Sequence, residues 1–257
     1  MSFMPYVAPE QMMKDRSEYA HKGIARGRSV IGLEIADGLL FIAENPSALL
    51  HKISEIYDKM AFAGVGKYSE FEDLRIAGVR LADLRGYSYG REDVKARDLA
   101  NAYSQSLSTI FTQQMKPYEV EILVGEVDGE ASGTAIYHIL FDGSVTDEHG
   151  FVAIGGHAEE LTETLTTRYA ENWDLATAVK TAVEVIGSPE SRTIEPEAGS
   201  SIVSTVARTA DASQDSPLWK LTPDRSRNSQ VRSSTGAQDS ASAGRGTPSA
   251  SGKTSAS

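Results

Sequence analysis

The sequence predicts an α+β fold in which two antiparallel sheets pack together between outer layers of helices. The predicted elements come in groups: a helix, four strands, two helices, three or four strands, two helices and two weaker β-type segments. Asp-Gly pairs at residues 37–38, 128–129 and 142–143 stand between β-type segments and are typical of antiparallel hairpins. The long paired helices between the strand groups need sheet faces to cover, which favours a layered sandwich.

The first group consists of one helix and four strands. Pro9 and Glu10 favour the start of a helix and Gly23 favours its end, which together predict a helix over residues 9–21. Four segments of β-type composition or alternating polarity follow, at residues 29–35, 39–43, 52–57 and 60–65.

Two helices are predicted next, over residues 68–84 and 91–115, the second ending before Pro117. The apolar residues of the second helix lie three, four and seven positions apart and therefore share one face: Leu99, Tyr103, Leu107, Ile110 and Phe111. That face is expected to cover a sheet.

The last group repeats the pattern of strands followed by helices. Strands are predicted at residues 118–127, 134–141, around 145 and at 151–155, and helices at residues 158–169 and 175–186. After a Pro- and Gly-containing segment at residues 187–201, two further strands are predicted at 201–207 and 217–222.

The chain divides into three parts: a short N-terminal segment of residues 1–8, one sandwich domain of residues 9–222, and a tail of residues 223–257. The tail is rich in Ser, Ala and Gly, and its five basic and two acidic residues give it a net charge of +3. It contains one large apolar residue, Val231. Since such a segment cannot bury enough apolar surface to offset the entropy of ordering, we expect it to be disordered.

Composition and charge exclude several classes of function. A net charge of −11 argues against nucleic-acid and anionic membrane partners. Without cysteine there is no disulfide, thiolate metal site or Cys nucleophile. There is no run of 18 apolar residues and no signal-peptide pattern. The sequence therefore predicts a soluble cytoplasmic protein, and it offers no motif for a metal or another cofactor.

A search for catalytic residues finds no constellation. The five histidines form no metal-binding pair. Gly155-Gly156 before a predicted helix could hold an anion, but a tight strand-to-helix turn is favoured. Glu119 and Glu121 share one face of a predicted strand, and a solvated face is favoured over acid–base chemistry.

Many segments, in order along residues 1–187, resemble proteasome α subunits of the actinobacterial type. They lie at residues 9–11, 22–27, 41–47, 51–58, 66–71, 83–87, 99–103, 110–112, 116–120 and 169–172. The resemblance implies the N-terminal-nucleophile (Ntn) hydrolase fold, a four-layer αββα sandwich, which agrees with the predicted order of elements. It also implies seven-membered α rings that cap two rings of proteolytic β subunits.

The resemblance places the nucleophile position of the β subunits near Arg28. The β subunits use a Thr exposed as the mature N-terminus, whose own amine serves as base. Arg28 has no nucleophilic oxygen, and Ser29 is the nearest hydroxyl. The carboxylate and lysine positions of the β subunits correspond to Glu44 and Lys52. The chain is therefore expected to be a non-catalytic subunit that relies on the β subunits for proteolysis.

The resemblance also implies two functional regions. The N-terminal segment would close the axial pore as a gate, formed by Ser2, Phe3, Met4, Pro5, Tyr6, Val7 and Ala8. A pocket between neighbouring subunits would receive the C-terminal tails of a hexameric ATPase, with Lys52 pairing with the terminal carboxylate and Gly27 and Gly66 as walls. Substrates would be unfolded proteins, in actinobacteria often marked by a small ubiquitin-like protein.

Other interpretations stay open at this point. Without the resemblance, residues 1–8 would be interpreted as a frayed terminus and Lys52 as a lysine at the entrance of a strand. The rival class of function is an enzyme, a self-processed Ntn hydrolase acting alone. A chaperone-like adaptor ring without β partners is a third interpretation.

Overall fold

The computed structural model describes residues 8–45, 47, 49–127, 133–187, 201–208 and 218–221, the last two ranges as backbone only. All of these belong to a compact unit, Met1–Pro223. Residues 2–7 of the expected gate and the tail of residues 223–257 lie outside the described residues, so their assignments stay predictions. No helix in the described part of the chain is long and apolar enough to span a membrane.

The order of the elements is the predicted one. The five helices of the described residues are α1 (Pro9–Ala25), α2 (Tyr68–Ser88), α3 (Ala96–Gln113), α4 (Ala158–Arg168) and α5 (Leu175–Ile186). The strands are β1 (Val30–Ile35), β2 (Gly38–Asn45), β3 (Ile53–Tyr57), β4 (Met60–Gly66), β5 (Val120–Val127), β6 (Thr134–Ile139), β7 (Val145–Glu148), β8 (Phe151–Ile154), β9 (Ser201–Arg208) and β10 (Leu218–Leu221).

The strands form two five-stranded antiparallel sheets. The first sheet has the order β10-β9-β2-β1-β8 and the second has the order β3-β4-β5-β6-β7. In the first sheet the β1–β2 hairpin pairs Ile35 with Gly38, and Gly38 has a positive φ of 135°. The Asp-Gly hairpin that the sequence predicts between β1 and β2 is therefore confirmed.

Two sheets buried on both faces explain the apolar runs of the central strands. Along β2, Leu39 and Phe41 belong to the cluster between the sheets, whereas Leu40 and Ile42 pack with α4 and α5. The same alternation along the second sheet directs one set of side chains inward and the other, such as Phe62, toward α2 and α3. The layers are therefore helices, sheet, sheet and helices, which is the Ntn-hydrolase sandwich that was predicted.

Helix α1 lies outside this layer scheme. Only Ala20 and Ile24 of its side chains are buried, and both join the cluster between the sheets. The first half of α1, next to Ala8, is mostly exposed.

Three predicted helix ends are wrong, and one of them is the end of α2, which lies at Ser88 rather than near residue 84. Helix α1 continues through Gly23 to Ala25, where Gly23 allows close packing against the side chain of Glu119. Helix α3 starts at Ala96 rather than near residue 91, because the carboxylate of Glu126 accepts a hydrogen bond of 2.8 Å from the amide nitrogen of Ala96. That carboxylate takes the role of an N-cap from a distant strand.

Candidate functional site

The candidate site lies at the junction of α1 and β1, formed by Arg26, Gly27, Arg28 and Ser29 (the α1–β1 junction). Helix α1 ends at this segment, where the Gly27 nitrogen donates to the Ile24 carbonyl at 2.7 Å. The turn after β8 contacts the same segment, since the Gly156 nitrogen donates to the Gly27 carbonyl at 3.0 Å. The junction is therefore held by backbone contacts on both sides.

Gly155-Gly156 forms the tight strand-to-helix turn that the sequence favours. Gly155 has a positive φ of 102°, which glycine adopts without strain. A Cβ on Gly156 would collide with the Ala25 carbonyl oxygen at the end of α1. Both glycines are thus explained by the turn and by its close approach to the junction.

Arg28, near which the resemblance places the nucleophile of the β subunits, is engaged in an ion pair. Its guanidinium contacts the carboxylate of Glu44 on β2, and both side chains are about three-quarters buried. A charge-assisted pair in this setting is stronger than one on the open surface. The junction therefore carries a cation paired with Glu44, the residue to which the resemblance assigns the β-subunit carboxylate.

Lys52 contacts the backbone of Arg28. Its ammonium donates a hydrogen bond of 2.6 Å to the Arg28 carbonyl oxygen, and its own carbonyl accepts from the Gly64 nitrogen at 2.9 Å. Burial, and after it the charge of Arg28, lower the pKa of Lys52 to about 8, while the charge of Glu44 opposes the change. Lys52 is half-buried, so part of its side chain stays accessible to a ligand.

The two glycines that the sequence analysis assigns to the pocket lie against each other. A Cβ on Gly27 would come within 3.0 Å of the Gly66 nitrogen and would crowd the side chain of Val65. Gly66 has a positive φ of 103°, and a Cβ there would overlap the carbonyl oxygen of Glu119. The structure thus brings Gly27 and Gly66 together, and Lys52 reaches the same junction through Arg28.

The interpretation of Glu121 as part of a solvated strand face is wrong. Glu121 is about nine-tenths buried and contacts the His138 ring nitrogen Nε2 at 2.7 Å. Its second oxygen accepts from the Gly155 nitrogen at 3.1 Å, so it joins the second sheet to the turn behind the junction. Glu148 lies 3.6 Å from the other ring nitrogen of His138.

The two carboxylates set the charge of His138. Burial lowers the pKa of His138, but hydrogen bonds and charges from Glu121 and Glu148 outweigh burial and raise it above the ordinary value. Sequence reasoning missed this cluster, although Glu121 shares strand parity with the apolar residues Leu123 and Val127, which face the other sheet.

Glu119 is also not part of a solvated face, because it precedes β5 and is held by other side chains. Lys116 bridges Glu119 at 2.8 Å and Glu70 at 2.7 Å, and Glu70 in turn accepts from the Glu119 nitrogen at 2.7 Å. The side chain of Glu119 packs against Gly23 of α1. Glu119 and Glu121 therefore make different contacts, the first with Lys116 and α1 and the second with His138 and Gly155.

Together the fold and the site define a class of protein: an Ntn-hydrolase sandwich in which an arginine at the α1–β1 junction is ion-paired with Glu44 of β2. Residues 24–195 match the model of the family described as Proteasome subunit. The chain therefore belongs to the proteasome subunit family.

Its relatives in that family are named "Proteasome subunit alpha". The chain is 56% identical over 202 residues to the one from Acidothermus cellulolyticus, a match that covers 77% of this chain and 86% of the relative. It is 58% identical over 188 residues to the one from Kineococcus radiotolerans, a match that covers 73% of this chain and 79% of the relative. Another, from a Nocardioides species, is 58% identical over 188 residues, a match that covers 73% of this chain and 74% of the relative. The resemblance to α subunits of the actinobacterial type is thus confirmed.

Proposed function

We propose that this chain is a non-proteolytic α subunit of a 20S proteasome core, whose heptameric ring gates the entry of protein substrates to the β rings. The observation that carries the proposal is the ion pair of Arg28 with Glu44 at the nucleophile position. A guanidinium has no nucleophilic oxygen, and its pairing holds the carboxylate that would otherwise assist chemistry. The relatives named "Proteasome subunit alpha" support the same assignment.

The proposed gate consists of Ser2–Ala8. Ala8 precedes α1, and its carbonyl accepts the first helical hydrogen bond, from the Met12 nitrogen at 3.1 Å. The segment is therefore attached directly to a helix and not to a loose linker. Seven such helices around one axis would bring seven apolar segments, each with Phe3, Met4 and Tyr6, to the pore.

The proposed docking pocket uses Lys52 with Gly27 and Gly66. Below about pH 8 the Lys52 ammonium is mostly charged, and a terminal carboxylate would provide the charged partner that burial makes favourable. The two glycines let the junction pack closely against Val65 and the Glu119 carbonyl, which fixes the backbone that Lys52 contacts. The partner proposed for this pocket is a hexameric ATPase, whose repeated tails would bind with avidity.

The first test separates the subunit from a self-processed hydrolase. Intact-mass measurement of the purified chain should give about 27.7 kDa, less the initiator methionine where it is removed. The isolated chain should hydrolyse no peptide, and peptide hydrolysis should appear when it is co-assembled with a β subunit. A processed chain that begins at Ser29, or hydrolysis without the β subunit, would support the enzyme instead.

The second test concerns the gate. Deletion of residues 2–8 should raise the rate of small-peptide hydrolysis by the assembled core several-fold. A matched variant that replaces these residues with a Gly/Ser segment of equal length should raise it as well, because length without apolar packing cannot form a plug. Hydrolysis at the wild-type rate in both variants would eliminate the gate from the proposal.

The third test concerns the pocket. Lys52→Ala should reduce ATPase-stimulated protein degradation while leaving peptide hydrolysis by the gate-deleted core unchanged. Lys22→Ala is the matched control, because among the described residues Lys22 makes one exposed ion pair, of 3.8 Å with Glu18. If stimulation survives in Lys52→Ala, the docking role of Lys52 is wrong, while the α-subunit assignment remains.

A further inference from the structure

The C-terminal end of α2 carries an exposed cluster of large apolar side chains, formed by Leu84, Tyr87 and Tyr89 (the α2-end patch). Leu84 is 63% exposed, Tyr87 93% and Tyr89 81%. Leu84 and Tyr87 lie three positions apart and are therefore neighbours on the helix surface, and Tyr89 is the C-cap of the same helix. Three large apolar side chains thus face water at one point of the surface.

The packing of α2 within the chain does not account for these side chains. The helix buries Phe71, Leu74 and Ala82, which pack with α3 and the second sheet. Leu84 and Tyr87 follow Ala82 by two and five residues, which at about 100° per residue places both on the outer side of the helix. An outer helix side with exposed apolar residues is typical of a surface that binds another protein.

The surroundings of the α2-end patch have the composition of a protein interface. Two exposed ion pairs border it, Arg85 with Asp98 and Arg91 with Asp58, the second at 3.0 Å. An open cavity of about 460 Å³ lies beside Tyr89 and is also lined by Arg85, Asp93 and Asp98. An apolar centre with a polar rim, rich in Tyr and Arg, is the arrangement that stabilises protein–protein contacts.

The α2-end patch and the α1–β1 junction lie at opposite ends of the same elements. Lys52 precedes β3 at the junction, and Tyr57 ends that strand five residues later, about 17 Å away. Gly86 of α2 packs against the Tyr57 hydroxyl, so the end of the helix lies at the end of the strand. Helix α2 itself begins two residues after Gly66 of the junction and extends about 30 Å to Ser88.

This position indicates which partner covers the patch. On the proposed function, the junction receives the ATPase, so that end of the chain lies on the outer face of the α ring. The opposite end then faces the stacked ring, which consists of β subunits. Copies within one ring would meet along the sides of these elements rather than at their ends.

We propose that the α2-end patch is the surface of this chain that docks on a β subunit. The inference rests on the proposed function, because docking of the ATPase at the junction defines the outer face. The contact surface of the β subunit should be apolar at its centre, with acceptors for the hydroxyl groups of Tyr87 and Tyr89.

The test measures association of the full chain with the tagged β subunit of the same organism. Leu84→Ser combined with Tyr87→Ser should weaken α–β association at least tenfold. The variant chain alone should keep the size and the urea midpoint of the wild type, since such exposed side chains contribute little to folding. Met115→Ser is the matched control and should bind as wild type does, because Met115 is fully exposed but precedes Lys116, which bridges Glu119 near the junction.

Tyr87→Glu is a second variant, which places a charge in the proposed apolar contact and should weaken association at least as much. Wild-type association in both variants would overturn the inference, as would an equal loss in Met115→Ser. A variant chain that loses its own oligomeric size would show that the patch joins copies of this chain, which also overturns it. Failure of the wild-type chain to associate with the β subunit would overturn the proposed function, and this is distinguished from failure of the patch, which appears only in the variants.

Discussion

Lys52→Met is expected to raise the free energy of unfolding of this chain at neutral pH, although it removes the side chain that we assign to docking. Lys52 is half-buried, and its ammonium contacts the carbonyl of Arg28, whose guanidinium is a second nearby cation. Methionine keeps the unbranched apolar stem and removes the charge. The substitution therefore removes a cost that the folded chain carries.

The magnitude follows from the pKa of Lys52. Burial, and then repulsion by Arg28, lower this pKa from 10.5 to about 8, while Glu44 opposes the change. At about 1.4 kcal/mol for a tenfold change, this difference corresponds to about 3 kcal/mol of destabilisation by the charged form. Loss of the hydrogen bond to the Arg28 carbonyl costs about 1 kcal/mol. The expected net gain is thus about 2 kcal/mol.

The pH dependence has a definite sign. The folded-state pKa of Lys52 lies below the unfolded value, so the unfolded chain binds this proton more tightly. The cost is complete below about pH 8 and disappears as the pH rises from about 8 toward 10.5. The advantage of Lys52→Met should therefore be largest at pH 7 and should shrink at pH 10.

Urea unfolding at pH 7 and pH 10 measures both quantities. Lys22→Met is the matched control and should change the free energy of unfolding by less than about 0.5 kcal/mol at either pH, since exposed ion pairs contribute little. A Lys52→Met chain that is less stable than wild type at pH 7 would refute the reasoning. A gain of equal size at both pH values would also refute it, because the gain would then not come from the ammonium.

Three further predictions concern stability and are measured by urea unfolding. Gly66→Ala should destabilise the chain by about 2 kcal/mol or more, because Gly66 has a φ of 103° and a Cβ would overlap the Glu119 carbonyl; a loss below about 0.5 kcal/mol would contradict this. Tyr103→Phe should be as stable as wild type or more stable by about 1 kcal/mol, since within the described residues the buried Tyr103 hydroxyl has no hydrogen bond; a loss above about 1 kcal/mol would mean that the hydroxyl has a partner. Wild type should exceed His138→Gln in free energy of unfolding most clearly at pH 6 and least at pH 9. The pKa of His138 is raised in the folded chain, so its charge contributes stability that is complete below the unfolded-state pKa of about 6.5 and is lost as the pH rises through the folded-state pKa. A difference between these two chains that does not change with pH would exclude the charge of His138 as its source.

The order of the elements was predictable because local signals and burial agree along most of the chain. Asp-Gly pairs mark two of the turns around apolar strands, and the apolar face of α3, with Leu99, Tyr103 and Leu107 buried, follows helical spacing. Helix ends were less predictable, because they depend on distant residues. The start of α3 is fixed by Glu126, which is 30 positions away in sequence.

The contacts of the candidate site were also hard to predict from the sequence, because they join distant residues. Residue spacing gives no reason to place Lys52 beside Arg28, which is 24 positions away, and only the family resemblance connected the two. The contact of Arg16 with the Phe111 and Gln114 carbonyls at the end of α3 had no local signal, because these partners lie 95 and 98 positions further along the chain. Glu121 was missed for a different reason: alternation on β5 resembles a solvated face unless the burial of both faces by a second sheet and by helices is known.

On the proposed function, the absence of a nucleophile at Arg28 is linked to a role for the residues before it. In the β subunits to which the family resemblance extends, the nucleophile becomes the chain's N-terminus, so any residue before it is removed. On the proposed function the peptide bond between Gly27 and Arg28 is not cut, and it lies within a junction whose carbonyls accept hydrogen bonds from Gly156 and Lys52. Helix α1 thus stays attached to the sandwich, with Arg16 fastening it to α3. On the proposed function, loss of the nucleophile and possession of a gate follow from the same uncut junction, and Lys52 contacts that junction directly.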